Sequence, residues 1–268
     1  MKVNFEFRLC LITMIVQIND MHNQNTDKEK LAKRIETHER YSKYDINEWI
    51  FGILKIKDTE SVLDIGCGTG KLLIPLLEKT KGLVVGVDVS KESLAHIKSS
   101  VGNKNPNIML ILSSMEDMYG KLKQFPKFDV IISCFAIYYS KKPDETIMQL
   151  KDILKDNGRF FICGPDINNN KALLELHSRI GKLSEMHKGF FENFAIPFLK
   201  DNFKNVEVFK FRNPVTFPDV ESLTEYWLSY SIGDKNKIEE FRNVAKEEFK
   251  YGKKFTTVKE VIGILAFK

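Results

Sequence analysis

Two hydrophobic rhythms divide the chain. Short, mostly apolar runs lie at 61–65, 82–87, 108–112, 128–133 and 159–163. Runs of that kind mark strands buried on both faces, as in a parallel sheet. Between them apolar residues recur every three or four positions, the spacing of one helical face. That spacing predicts helices over 71–79, from about Lys91 onward, and over 144–155. Asn157-Gly158 predicts a turn into the fifth strand. Two helical stretches over 26–54 precede the first strand. Beyond the fifth strand the pattern predicts helices over 171–183 and 190–199 and a sixth strand over 206–211. Further helices over 220–230 and 235–250 follow, and a last strand over 259–267. Asn213-Pro214 and Phe217-Pro218 punctuate the connection. Strand and helix in alternation predict an α/β fold built on a parallel, doubly wound sheet.

Candidate chemistry sits where the first strand ends. Val62-Leu63-Asp64-Ile65 runs into Gly66-Cys67-Gly68-Thr69-Gly70. Glycines at a strand-to-helix turn permit positive φ and let a ligand lie against bare main chain. The dinucleotide fingerprint differs, because its third glycine stands one residue further along. Asp64 ends a buried strand, where an acid is costly without a cationic or hydrogen-bonding partner. The second strand ends in Asp88, about 20 residues past the turn, where a ribose-binding acid is expected. Two carboxylate oxygens can accept from two vicinal hydroxyls. Ser90 supplies the cap of the following helix, which leaves Asp88 for the ribose.

Val-Leu-Asp-Ile-Gly-Cys-Gly-Thr-Gly followed by Gly-Val-Asp-Val-Ser resembles the first two motifs of the class I S-adenosylmethionine-dependent methyltransferases. The resemblance covers roughly residues 40–268 and is tightest over 61–163. It implies a seven-stranded, mostly parallel sheet with helices on both faces, an antiparallel last strand and a small helical cap. Residues 26–268 would form the methyltransferase domain, with cap insertions near 165–200 and 214–255. The implied cofactor is S-adenosylmethionine. Asp64 would hold its ammonium group; Gly66, Cys67, Gly68 and Gly70 would cradle its methionine end; Asp88 and Val89 would lie on the ribose. Ser114 and Met115, with Glu116, fall where the adenine contact is expected. The family usually has an acid at the position of Ser114, so a hydroxyl replaces a carboxylate there. Ser133 ends the fourth strand within the same implied site. Tyr41 and Tyr44, in an aromatic Arg-Tyr-Ser-Lys-Tyr stretch, fall where the family places an entry segment across the cofactor. They read equally as packing residues.

A sulfonium methyl needs no activation, so catalysis is chiefly in-line positioning. Tyr138, just past the fourth strand, is the candidate facing the methyl group, and Tyr139 reads as packing. His187, the second catalytic candidate, and His177 fall on the cap segments, and each reads first as a surface helix residue. No metal-ligand spacing is present, so no metal is expected. The Asn/Asp-Pro-Pro-Tyr tetrapeptide of amino-directed DNA methyltransferases is missing after the fourth strand, so no DNA acceptor is expected.

Composition narrows the partners. With 268 residues the chain can bury one large core and a small cap. Net charge is +5, but the lysines are dispersed and form no basic block of the nucleic-acid-binding kind. The acceptor is therefore read as a small molecule. The alternatives are a modified base in tRNA, a non-catalytic S-adenosylmethionine binder and, more remotely, a dinucleotide oxidoreductase. Cys10, Cys67, Cys134 and Cys163 show no pairing pattern, which suits small buried residues in a cytoplasmic, reducing compartment. Residues 9–16 are apolar but too few to span a bilayer, and no membrane association is expected. Residues 1–25 stand apart from the family as a disordered or packed leader, or as a start-site artefact with translation beginning at Met21.

Overall fold

A computed structural model describes residues 28–102, 105–182 and 189–268. The expected leader over 1–25 and His187 lie outside the described residues. Seven strands form a single sheet in the order β3-β2-β1-β4-β5-β7-β6. They are β1 (Val62–Ile65), β2 (Val84–Asp88), β3 (Ile108–Leu112), β4 (Phe128–Cys134), β5 (Leu154–Pro165), β6 (Asn205–Phe217) and β7 (Phe255–Phe267). The first five pair in parallel, and the last strand is antiparallel. The helices around the sheet are α1 (Lys28–Tyr41), α2 (Ile46–Leu54), α3 (Leu73–Lys79), α4 (Lys91–Val101), α5 (Met118–Leu122) and α6 (Pro143–Asp152). They continue with α7 (Lys171–His177), α8 (Ile196–Asn202), α9 (Val220–Leu228) and α10 (Ile238–Glu248).

The chain divides into two compact units. One comprises Ile46–Gly164, Gly189–Lys210 and Ile262–Lys268, and holds β1 to β4 and nearly all of β5. Its central strands are covered on both faces: all four residues of β1 are buried, as are Val84 to Val87 of β2. The register sets Asp64 opposite Gly86 on one side and Ile132 on the other. Ser90 caps α4 by accepting from the Ser93 N–H at 3.1 Å, as the sequence predicts. Beneath the sheet, Arg159 grips Glu60 at 2.8 Å and donates to the Leu54 carbonyl at 2.7 Å. Burial pushes the Glu60 carboxyl upward, but hydrogen bonds from Arg159 and the Lys57 N–H hold it below the usual range.

The other unit comprises residues 28–45, 165–182 and Phe211–Val261. Its core gathers Leu173, Leu176, Phe217, Leu223, Tyr226, Trp227 and Phe241. Trp227 stacks on Phe241 with centroids 4.2 Å apart. Asp219 caps α9 by accepting from the Ser222 N–H at 2.8 Å.

Three expectations are corrected. Asn157-Gly158 is not a turn before β5 but part of a bulge within it. Phe128 pairs with Leu154 while Val130 pairs with Arg159, so the intervening β5 residues loop out. β6 and β7 are also longer than their apolar runs. β6 lies at the sheet's edge and therefore accommodates Pro214. The segment from Phe190 begins as a π-helix, Phe190–Ala195, before α8.

Candidate functional site

The strand order reverses direction between β1 and β4. In an open α/β sheet that switch point opens a crevice at the carboxyl ends of the strands, where ligands bind. The glycine turn leaves β1 on one side of it. Gly66, Gly68 and Gly70 all take positive φ, at 72°, 52° and 86°. The Gly66 and Cys67 N–H groups donate to the Val87 carbonyl at 2.8 and 3.1 Å, which fastens the turn to the end of β2. A Cβ on Gly66 would stand 2.3 Å from the Ala136 Cβ. Only glycine therefore fits between the two lips of the crevice.

The lip after β4 is strained. Phe135 takes φ 55°, a region that bulky side chains rarely occupy and that concentrates at functional sites. Its N–H donates to the Cys163 carbonyl at 2.8 Å. Nothing in the sequence signals this conformation, since Phe135 sits in an ordinary apolar run. Ser133, just before it, is fully buried and its hydroxyl donates to the Ile65 carbonyl at 3.1 Å. It ties the tip of β4 to β1.

Two carboxylates define the electrostatics. Asp64 is 2% exposed, and its carboxylate makes no hydrogen bond among the described residues. Burial, reinforced by the charge of Asp88, pushes its carboxyl up to about 7. Such an acid lacks a counter-charge. Asp88 is placed differently from the expectation that it stands free for a ligand. One of its oxygens accepts from the Gly68 N–H at 2.7 Å and the other from the Ser90 N–H at 2.8 Å. It braces the glycine turn, and each oxygen keeps lone-pair capacity for a further donor.

The tip of β3 completes the crevice edge. The Ser113 N–H donates to the Asp88 carbonyl at 3.0 Å, and the buried Ser113 hydroxyl has no partner among the described residues. That orphaned hydroxyl was not among the sequence candidates. Met115 does reach the turn: its Cε lies 3.7 Å from the Cβ position of Gly66. Ser114 instead donates to Asp117 at 2.6 Å. Glu116 accepts from the Lys141 N–H at 2.8 Å and from the Ser140 hydroxyl at 3.3 Å. Val89 is 59% exposed, and Cys67 is buried, its thiol pushed upward mainly by burial. Tyr138 lies in the short helix Ile137–Tyr139 after β4 and is buried. Its ring meets Tyr139 at 4.6 Å and both Phe190 and Phe191 at 6.1 Å.

Other candidates lie in the second unit. Tyr41 packs on Phe217 at 5.5 Å, while Tyr44 is 52% exposed with the Lys43 ammonium 5.1 Å from its ring centre. His177 is a core residue rather than a surface one. Its Nδ1 accepts from the Trp227 indole N–H at 3.2 Å, and burial holds the ring below its usual pKa. Among the described residues no cluster of three or more His, Cys, Asp or Glu side chains is placed to hold a metal. A shallow cleft of about 400 Å³ lined by Lys151, Asp201 and Lys268 lies at the opposite, amino-terminal edge of the parallel strands. It takes no part in this crevice. Among the described residues no helix is long and apolar enough to cross a membrane.

The residues present fit S-adenosylmethionine. Among the described residues Asp64 lacks the cation that an ammonium would supply, the turn presents bare main chain at three positive-φ glycines, and the Ser113 hydroxyl has no partner. Together with the strand order, these features define a class I S-adenosylmethionine-dependent methyltransferase. A family profile described as a methyltransferase domain matches residues 56–217, and the chain belongs to that family. The chain is 34% identical over 123 residues to a malonyl-[acyl-carrier protein] O-methyltransferase of Halalkalibacterium halodurans, covering 45% of this chain and 43% of that protein. It is 30% identical over 130 residues to a tRNA U34 carboxymethyltransferase of Shewanella frigidimarina, covering 47% and 38%. It thus spans less than half the length of these two relatives. The plantazolicin methyltransferase BamL, solved with a triazolic desmethylPZN analog and SAH, shares the fold with a TM-score of 0.54. That match is 16% identical and covers 97% of this chain and 98% of that one.

Proposed function

We propose that the protein transfers the methyl group of S-adenosylmethionine to a small-molecule acceptor by in-line displacement, with residues 26–268 forming the methyltransferase domain. The observation that carries this reading is Asp64: a buried carboxylate without a hydrogen-bond partner among the described residues, beside a turn of three positive-φ glycines. The bound cofactor supplies an electrophilic sulfonium methyl. Asp64 then holds the cofactor's ammonium group. Asp88 keeps the turn in shape through Gly68 and offers its remaining lone pairs to the ribose. Gly66 lets the ligand approach the main chain, and Met115 covers the turn. Tyr138 stands at the β4 lip, where an acceptor must lie to meet the methyl group in line. The cysteines Cys67, Cys134 and Cys163 are free, which supports a reducing, cytoplasmic setting.

Dispersed charge and the additions after β5 support a metabolite-sized acceptor. The likeness to the tRNA U34 carboxymethyltransferase of Shewanella frigidimarina favours a second reading, in which the acceptor is a tRNA base. Incubation with methyl-labelled S-adenosylmethionine and separate small-molecule and tRNA fractions of a cell extract distinguishes them. Label is expected in the small-molecule fraction. Label confined to tRNA would establish the second reading instead.

A further inference from the structure

The π-helix Phe190–Ala195 carries a group that the cofactor site does not use. Among the described residues, both carboxylate oxygens of Glu192 are buried without a hydrogen-bond partner. A buried, uncompensated carboxylate is costly, and buried polar groups left unsatisfied in a folded protein call for an explanation. The π-turn is itself unusual, and such turns concentrate at functional sites. It is entered through Gly189 at φ 98°, and the Asn193 N–H donates to the Gly189 carbonyl at 2.7 Å.

The position of the turn ties it to the crevice. Phe190 and Phe191 set their ring edges against Tyr138, the residue at the β4 lip. Gly164, near the end of β5, has no room for a side chain: a Cβ there would stand 2.5 Å from Phe191 and 2.7 Å from Tyr138. The β5 end, Tyr138 and the π-turn are thus packed together within one compact unit. Glu192 belongs to this turn, which packs on Tyr138, the residue that the proposed reading sets beside the acceptor.

We propose that the acceptor carries a cationic amino group received by Glu192. This rests on the methyltransferase reading above and narrows its substrate class. An ammonium meets two needs at once. It gives the carboxylate charge-assisted hydrogen bonds, and it is attracted to the faces of neighbouring aromatic rings such as Phe190, Phe191 and Tyr138. A neutral alcohol would leave the carboxylate uncompensated, and a carboxylic acid would bring a like charge against it.

Titration calorimetry in the presence of SAH tests the assignment with benzylamine, which is protonated at neutral pH, and benzyl alcohol, its neutral counterpart. Methylamine and phenethylamine complete the set of amines. The wild-type protein is expected to favour an amine over the alcohol by roughly tenfold or more. Glu192→Gln keeps the shape, removes an unpaired charge and is expected to erase that preference. Equal binding of amine and alcohol by the wild-type protein, the same preference in Glu192→Gln, or no binding of any of the three amines overturns the proposal. SAH titrated alone separates the two layers. Binding by both proteins leaves the methyltransferase reading intact whatever the amines do, whereas no binding by the wild-type protein removes that reading.

Discussion

Replacing Asp64 with asparagine is expected to remove a loss of stability that the cofactor-free protein suffers as pH rises, and to make the cofactor site worse. The sign follows from the raised carboxyl. A group whose pKa rises on folding, here from 3.8 to about 7, binds more protons in the native state than in the unfolded chain. Its contribution is fully favourable below the unfolded value and is lost as pH rises through the folded one. The wild-type protein therefore loses about 4 kcal/mol between pH 4 and pH 8 through this one side chain. The amide of the Asp64→Asn variant cannot ionise and loses none of it. That unpaired amide costs about 1–3 kcal/mol at every pH, so the pH profile is the diagnostic rather than stability at a single pH. Urea denaturation of both proteins across that range should give curves that diverge with rising pH, the variant gaining steadily on the wild type. Cofactor affinity should move the opposite way. An ammonium beside Asp64 favours the ionised acid, so below about pH 7 binding releases a proton and the wild-type affinity climbs with pH. The variant should bind weakly with no such climb. Parallel denaturation profiles would show that Asp64 carries no burial penalty, and the reasoning that makes it a cation receptor would fail with them.

Gly66→Ala should lose about 2–4 kcal/mol by urea denaturation, because it combines a positive φ with a clash against Ala136. Adding Ala136→Gly should recover part of the loss, and no recovery would exclude that contact as the cause. Asp88→Asn turns one acceptor oxygen into a donor facing a backbone N–H. Calorimetry should show SAH affinity reduced by about 1–3 kcal/mol, and unchanged affinity would remove Asp88 from the site. Arg159→Leu leaves Glu60 in place with its guanidinium gone and should cost about 3 kcal/mol at pH 7. Because the pair holds the Glu60 carboxyl below its usual value, the gap to wild type is present above pH 4.5 and should close as the protein is acidified. A gap that widens in acid would contradict the assignment.

The parallel half of the sheet was legible because each strand there carries a short, mostly apolar run, and the first two lead into a glycine turn and an acid. Gly66, Asp64, Asp88 and Ser90 could be placed from spacing alone. β6 was under-read because Arg212, Asn213 and Pro214 interrupt its alternation, and β7 because Phe255 to Val258 stand apart from its apolar run, separated from it by Lys259 and Glu260. These strands stand at and beside the sheet's edge, where polar positions are tolerated. The β5 bulge was hidden because Asn-Gly serves a turn and a bulge equally well. His177 read as a surface residue because its partner, Trp227, stands fifty positions away in sequence. The strained φ of Phe135 and the isolation of the Glu192 carboxylate are products of packing, and no local pattern encodes them.

Calorimetric titration of the full chain with SAH, set beside the same titration with NAD, tests the central claim most directly. The account predicts one saturable site for SAH and no heat with NAD, with SAH binding much weaker in Asp64→Asn. Saturable binding of NAD without any response to SAH would contradict it.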